Sequence, residues 1–382
     1  MKVVVAMDSL KDSLSSLEAG RAIRRGIHLA IPTAEVIVRP LADGGEGTVE
    51  ALALGMGGRL ETVTVTGPLG KPVNCSYGIL EETGTAIVEM SGAAGIMLVS
   101  DEERNPMNTT TYGVGEVIKD AIANGCRRFI VGIGGSATND GGIGMLQALG
   151  YGMLNESGNQ AAFGAKGLEE LVKITEDQVL PELAECTFRI ACDVTNPLCG
   201  EQGASAVYGP QKGAAPAMIR QMDRWLDHYA ALAAKTFPNA NPLQPGTGAA
   251  GGLGFAFLTF TNAVLESGIK IVLEETRLED DIKDADIVIT GEGRLDGQTV
   301  MGKAPIGAAG IAKKYGKLVL AFSGCVTEDA RACNGGGIDA YFPIVRGAVS
   351  LQEAMEHDNA EQNMTAAAEQ VFRLIRWQQE HG

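Results

Sequence analysis

Four short segments set carboxylates or hydroxyls among glycines: ADGGEGT (42–48), GIGGSATNDGG (132–142), GTGAAGGLG (246–254) and TGEGRLDGQTVMGK (290–303); a fifth, DSLKDS (8–13), gathers carboxylates and hydroxyls around a lysine without glycine. Glycine lets main-chain N–H groups approach anionic oxygens, and the positive end of a following helix adds to the attraction. An acidic side chain in such a loop repels phosphate unless a cation lies between them. Mg2+ suits that place, because it takes a few carboxylates together with substrate phosphates. The recurrence of Asp and Glu beside glycine therefore points to nucleotide phosphates with Mg2+, the chemistry of phosphoryl transfer. The plainer alternative is that these glycines only make tight turns.

Two fixed motifs nearly match. Gly132-x-Gly134-x-x-Ala137 has the spacing of a dinucleotide fingerprint, with Glu156 about twenty residues on. The polar TND insert delays the helix, however, and Glu156 falls in the turn NESGN. A nicotinamide-dependent oxidoreductase is thus an alternative with poor context. Gly297-x-x-x-x-Gly302-Lys303 has phosphate-loop spacing, but Ala304 stands where that motif needs a Ser or Thr.

The elements that must position these loops alternate at both ends of the chain. KVVVAM reads as a strand, and Ser15-x-x-Glu18 is a capping box before a helix whose apolar stripe is Ala19, Ala22, Ile23, Gly26, Ile27 and Ala30. EVIV (35–38) is a second strand and TVEALALGM a second helix. The same texture resumes near Asp286 with strand DIVIT, helix APIGAAGIAKKYG, strands LVLAFSG and AYFPIV, and a closing helix from about Ala360 to Trp377. That is the pattern of a parallel sheet covered by helices. Between them, ETVTVTGPLG, KPVNCSYGIL and TAIVEM read as an antiparallel meander, followed by a helix at TYGVGEVIKDAIANG and strands RFIVGI and FRIAC. The expected arrangement is one α/β domain made from 1–58 plus 278–382, interrupted by an inserted mixed-sheet α/β domain at 59–277.

At 382 residues the chain has room for two domains. A formal net charge of −16 argues against non-specific nucleic-acid binding. No window approaches ~18 unbroken apolar residues, so no membrane span is expected, and the N-terminus has no signal-peptide pattern. Seven cysteines without C-x-x-C spacing read as reduced thiols of a cytoplasmic protein. Cys192 and Cys199 lack basic neighbours and read as packing residues.

DSLKDSLSSLEA, LADGGEGTVEA, GIGGSATNDGGIGMLQALG, ACDVTNPLCG, GPQKGA, GAAGGLG and ITGEGRLDGQT…GKAPIG closely resemble the type I glycerate kinases of bacteria, in the same order from Lys2 to about Trp377. The resemblance implies ATP-dependent phosphorylation of D-glycerate, most naturally at the 2-hydroxyl, and a flavodoxin-like domain interrupted by a restriction-enzyme-like domain. The family has proline where this chain has Met7, which affects only the stiffness of the strand exit. A non-catalytic sugar-acid binding protein is a further alternative, although it has no use for so many glycine-embedded carboxylates.

Phosphoryl transfer to an alcohol needs anchored phosphates, a cation, a base and a handle on the acceptor. Asp193, at the end of FRIAC, is the expected base, with Asp296 its rival as base or metal ligand. Asp8, Asp43, Glu46 and Glu292 are candidate Mg2+ ligands, and Asp140 is expected to face a cation. Ser9, Gly134 and Gly135 are expected at phosphate, with Ser136 and Asn139 at phosphate or acceptor. Lys11 and Arg294 are the preferred forks for the glycerate carboxylate, with Lys212 and Lys303 as alternates or phosphate ligands. The loop 132–142 is expected to line a cleft between domains. The C-terminal RLIRWQQEHG is a candidate subunit contact for a homodimer, with packing on its own sheet the preferred reading.

Overall fold

The apolar run at the N-terminus forms strand Lys2–Met7, in which Val3, Val4, Val5, Ala6 and Met7 are all fully buried. Burial without alternation is the mark of a strand covered on both faces. The computed structural model describes residues 1–42 and 47–381. Lys2–Met7 pairs in parallel with Glu35–Val38 on one side and Ile287–Gly291 on the other, and Leu318–Ser323 and Ala340–Pro343 complete the sheet. Counted along the chain, the order is 2-1-3-4-5, the flavodoxin-like arrangement.

The described chain divides into two compact units. The first holds 1–42, Glu50–Met56 and 269–381; the second holds 47–49 and Gly57–Gly268. In the first, helix Ser16–Ala30 starts at the capping box: Ser15 Oγ accepts from Glu18 N at 3.3 Å, and Ser15 N donates to Glu18 Oε2 at 2.9 Å. Its Gly26 lies so close to the C-terminal helix that an added Cβ would come within 2.3 Å of Thr365 O. That helix spans His357–His381, longer than its apolar pattern announced, because its polar ends carry no buried residue. Ala360, Met364, Ala368 and Phe372 are buried, so the helix packs within its own unit, while Leu374 and Trp377 remain exposed.

The second unit carries a six-stranded mixed sheet in the order Ala263–Glu266, Thr187–Ala191, Arg128–Gly132, Thr85–Glu89, Pro72–Leu80, Arg59–Thr66. The first four are mutually parallel and the last three form the antiparallel meander. Stacked rings of Phe129 and Phe188, 4.7 Å apart, lie in its core. Its longest helices are Tyr112–Ala123, Pro216–Ala233 and Ala249–Phe260, the last two beyond the sequence reading. GTGAAGGLG follows a turn rather than a strand. It leads from that turn into helix Ala249–Phe260, with Ala250, Gly251 and Gly252 at positive φ. Among the described residues no helix is long and apolar enough to cross a membrane.

Candidate active site

In the first unit, Lys2–Met7 and Ile287–Gly291 are the neighbouring strands at which the chain order reverses. Ligands of open α/β sheets bind beyond the carboxyl ends of strands at such a switch point. Asp8 follows one strand and Glu292 the other, and Asp8 N donates to Gly291 O at 2.9 Å. Asp8 Oδ1 accepts from Ser9 N at 2.7 Å. Leu10 and Leu14 exchange main-chain hydrogen bonds and close a tight loop, leaving Lys11 exposed at its tip. A Cβ on Gly293 would lie 3.5 Å from Leu10 Cα and 3.7 Å from Lys11 N, so the loops after the two strands adjoin.

Glu292 is largely enclosed, with its side chain 12% exposed. Its Oε1 accepts from Thr299 Oγ1 at 2.8 Å and its Oε2 lies 3.5 Å from Lys303 Nζ. Burial pushes its pKa up, opposed by Thr299 and Lys303, so the carboxylate gains from a nearby positive charge. Thr299 Oγ1 also accepts from Asp296 N at 3.2 Å. Asp296 Oδ1 caps the next turn by accepting from Gln298 N at 2.9 Å, while Oδ2 lies 3.5 Å from the exposed Arg294. Lys303 directly precedes helix Ala304–Lys314, where the macrodipole favours anions. Ser9, Lys11, Arg294, Asp296 and Lys303 thus share one end of the sheet with Asp8 and Glu292. Asp43 and Glu46 lie outside the described residues. Among those described, no group of three or more His, Cys, Asp or Glu is placed to hold a metal ion.

In the second unit, Arg128–Gly132 and Thr187–Ala191 run side by side, with Gly132 opposite Ala191. Gly134 follows the first and Asp193 the second, so both emerge at adjacent strand ends. Asp193 is exposed and accepts from Gly268 N at 3.2 Å. Gly134 and Gly135 are exposed, and a Cβ on Gly134 would meet nothing within 4 Å. The rest of the loop is locked from below. Thr138, Asn139 and Asp140 are fully buried. Asp140 Oδ2 accepts from Thr111 N at 2.8 Å and Thr111 Oγ1 at 2.9 Å, and Oδ1 accepts from Gly142 N at 3.0 Å. Burial raises its pKa against those donors. Asn139 Nδ2 donates to Ser205 Oγ at 2.8 Å. Lys212, 2% exposed, donates to Ser136 Oγ at 2.7 Å and Thr138 O at 2.6 Å.

Several of these glycines serve packing. Gly141 N donates to Gly251 O at 2.9 Å, and a Cβ on Gly251 would sit 2.1 Å from Thr138 O. One glycine-rich segment therefore braces another, main chain against main chain. Three residues that hold the loops in place escaped the sequence reading: Thr111 holds Asp140, Ser205 holds Asn139 and Thr299 holds Glu292. For the first of these, the run Thr109–Thr111 before a helix is the one local signal.

Cys192 and Cys199 pack against the core of this unit, and burial pushes the Cys199 thiol up to about 12, so neither is an activated nucleophile. All seven cysteines are free.

A parallel α/β unit with charged groups at its switch point is joined in sequence to a mixed-sheet unit with a braced glycine loop, the layout of a two-unit α/β protein that binds its ligands beyond strand ends. A model of the glycerate kinase family matches residues 3–376, and the chain belongs to that family. A glycerate kinase of Haemophilus influenzae is 47% identical over 375 residues, covering 98% of this chain and 99% of that one. A glycerate 2-kinase of Escherichia coli K12 is 47% identical over 361 residues, covering 94% and 95%. A chain described as glycerate kinase 2, in a crystal structure from Salmonella typhimurium LT2, superposes with a TM-score of 0.92 at 45% identity, covering 100% of this chain and 99% of that one. The protein is accordingly a kinase, with ATP as co-substrate.

Proposed function

We propose that the protein transfers the γ-phosphoryl group of ATP to D-glycerate, at the 2-hydroxyl, giving 2-phosphoglycerate and ADP. The observation that carries this reading is the pairing of Glu292 with Lys303 beside Asp8, at the switch point of a 2-1-3-4-5 sheet. Mg2+ travels with the nucleotide and offsets charge on its β and γ oxygens. Asp8 and Glu292 fit that ion, which needs only one or two protein carboxylates, and Asp43 and Glu46 are assigned to the same role from the sequence.

Lys303 and Ser9 are assigned to phosphate, and Lys11 and Arg294 to the acceptor carboxylate, for which a guanidinium offers a two-pronged donor. Gly134 and Gly135 are exposed, and their main-chain N–H groups are assigned as donors to an anionic oxygen. Asp193 is assigned as the base that takes the hydroxyl proton. It is open to solvent, whereas Asp296 is engaged in capping its own turn. Asp140 acts in this reading as a buried anchor of the loop, its carboxylate accepting from Thr111 and Gly142, while Asn139 donates to Ser205 and keeps its buried Oδ1 without a protein partner.

Purified protein with ATP, MgCl2 and D-glycerate should release ADP only when all three are present, and ³¹P NMR of the product should show the phosphate on C2. A 3-phosphoglycerate signal would reject the 2-hydroxyl assignment, and no ADP release would reject the kinase reading. Free cysteines suit a reducing cytoplasm. A homodimer through the exposed Leu374 and Trp377 is a separate proposal that sedimentation velocity would decide.

A further inference from the structure

Among the described residues, Lys212 is the most deeply buried cation that the functional reading leaves unexplained. It closes the short turn Pro210–Lys212, and its ammonium points into the underside of the loop 132–142. An ammonium has three N–H donors and no acceptor. Its 2.7 Å contact with Ser136 must therefore use a lone pair of the serine oxygen, which turns the hydroxyl hydrogen away from the lysine. A nearby positive charge also makes that O–H a stronger donor. Ser136 is 8% exposed and directly follows the exposed Gly134 and Gly135.

We infer that Lys212 is a positioning residue that works through Ser136, setting its hydroxyl as a donor to an anionic oxygen of a ligand held over Gly134–Ser136, without touching that ligand. The inference rests on the kinase reading, in which the oxygen belongs either to the glycerate carboxylate or to a nucleotide phosphate. The two sources differ in which Michaelis constant responds.

The charge state of Lys212 is open to change. Burial lowers its pKa to about 7, with Asp140 of the same loop pulling it back up. Among the described residues, Asp140 is the one titratable group that acts on it; Tyr229 of helix Pro216–Ala233 is coupled to that same Asp140, and burial pushes its own pKa far up. Once neutral, the lysine nitrogen can accept a hydrogen bond from the Ser136 hydroxyl, which then ceases to be committed outward. Binding of the anionic substrate should weaken on the alkaline side.

The test is steady-state kinetics of the full chain and of Ser136→Ala, Lys212→Met, Lys212→Arg and the Ser136→Ala/Lys212→Met double variant, from pH 6 to 9.5, with thermal melts to confirm folding. Ser136→Ala should raise one KM, for glycerate or for ATP, roughly tenfold, with a smaller effect on kcat. It should also remove the alkaline rise in that KM expected of the parent. Lys212→Met should raise the same KM, but add less than about twofold when Ser136 is already alanine, since residues acting as one unit are not additive. Lys212→Arg, charged throughout the range, should flatten the alkaline limb. Equal effects of Lys212→Met in both backgrounds, or an alkaline limb that survives Ser136→Ala, would overturn the inference. If Lys212→Met does not fold, the pH profiles of Ser136→Ala and Lys212→Arg decide it alone. Absence of ADP release by the parent protein would instead overturn the kinase reading, and this inference with it.

Discussion

At the scale of single residues, Asp193 and Asp140 show how one side-chain type serves opposite ends. Asp193 is exposed at a strand end, and its loss should fall on chemistry. Asp193→Asn should lower kcat by about 10² or more, the usual cost of losing a general base, with its melting temperature near that of the parent. Near-normal turnover would move the base to Asp296. Asp140 is fully buried and accepts from two N–H groups and one hydroxyl. Asp140→Ala strands those donors, and should cost about 3 kcal/mol or more, read as a fall in the urea midpoint. A variant with unchanged stability and a lost Mg2+ dependence would return Asp140 to the role of metal ligand. The sequence displays both residues as acids beside small neighbours. What separates them is Thr111, distant along the chain, whose N–H and hydroxyl reach Asp140 and leave nothing comparable for Asp193.

At the scale of elements, the glycine-rich segments divide by what surrounds them. Gly251 has φ +67° and no room beside Thr138 O, so Gly251→Ala should lower stability by about 2 kcal/mol or more through strain and displaced main chain. Gly134 has open space around it, and Gly134→Ala should leave stability within about 0.5 kcal/mol while raising a substrate KM. Urea titration together with kinetics checks both, and equal stability losses would refute the division. Most strands and the first helix were legible, because burial on two faces and a capping box write themselves into local spacing. Helices Pro216–Ala233 and Ala249–Phe260 were not. The second begins in three residues of positive φ, where glycine and alanine hide the helical period. The site loops were legible as a class, since glycine and carboxylate recur at strand ends. Their bracing was not, because it depends on partners remote in sequence.

At the scale of the whole molecule, each unit has its own buried core. The second unit is almost one continuous stretch, Gly57–Gly268. A protein cut to those residues should fold alone and melt cooperatively by circular dichroism; a non-cooperative melt would show that it depends on the remainder. The first unit has no such independence, because strand Lys2–Met7 needs Ile287–Gly291 along one edge. During synthesis at about 5–20 residues per second, that edge waits on the order of tens of seconds for its partner. An apolar ribbon with one row of amides open for so long is a sticky target for other nascent chains. The ribosome thus delivers this protein with its earliest segment finished last, and its yield in a cell should follow chaperone supply during translation.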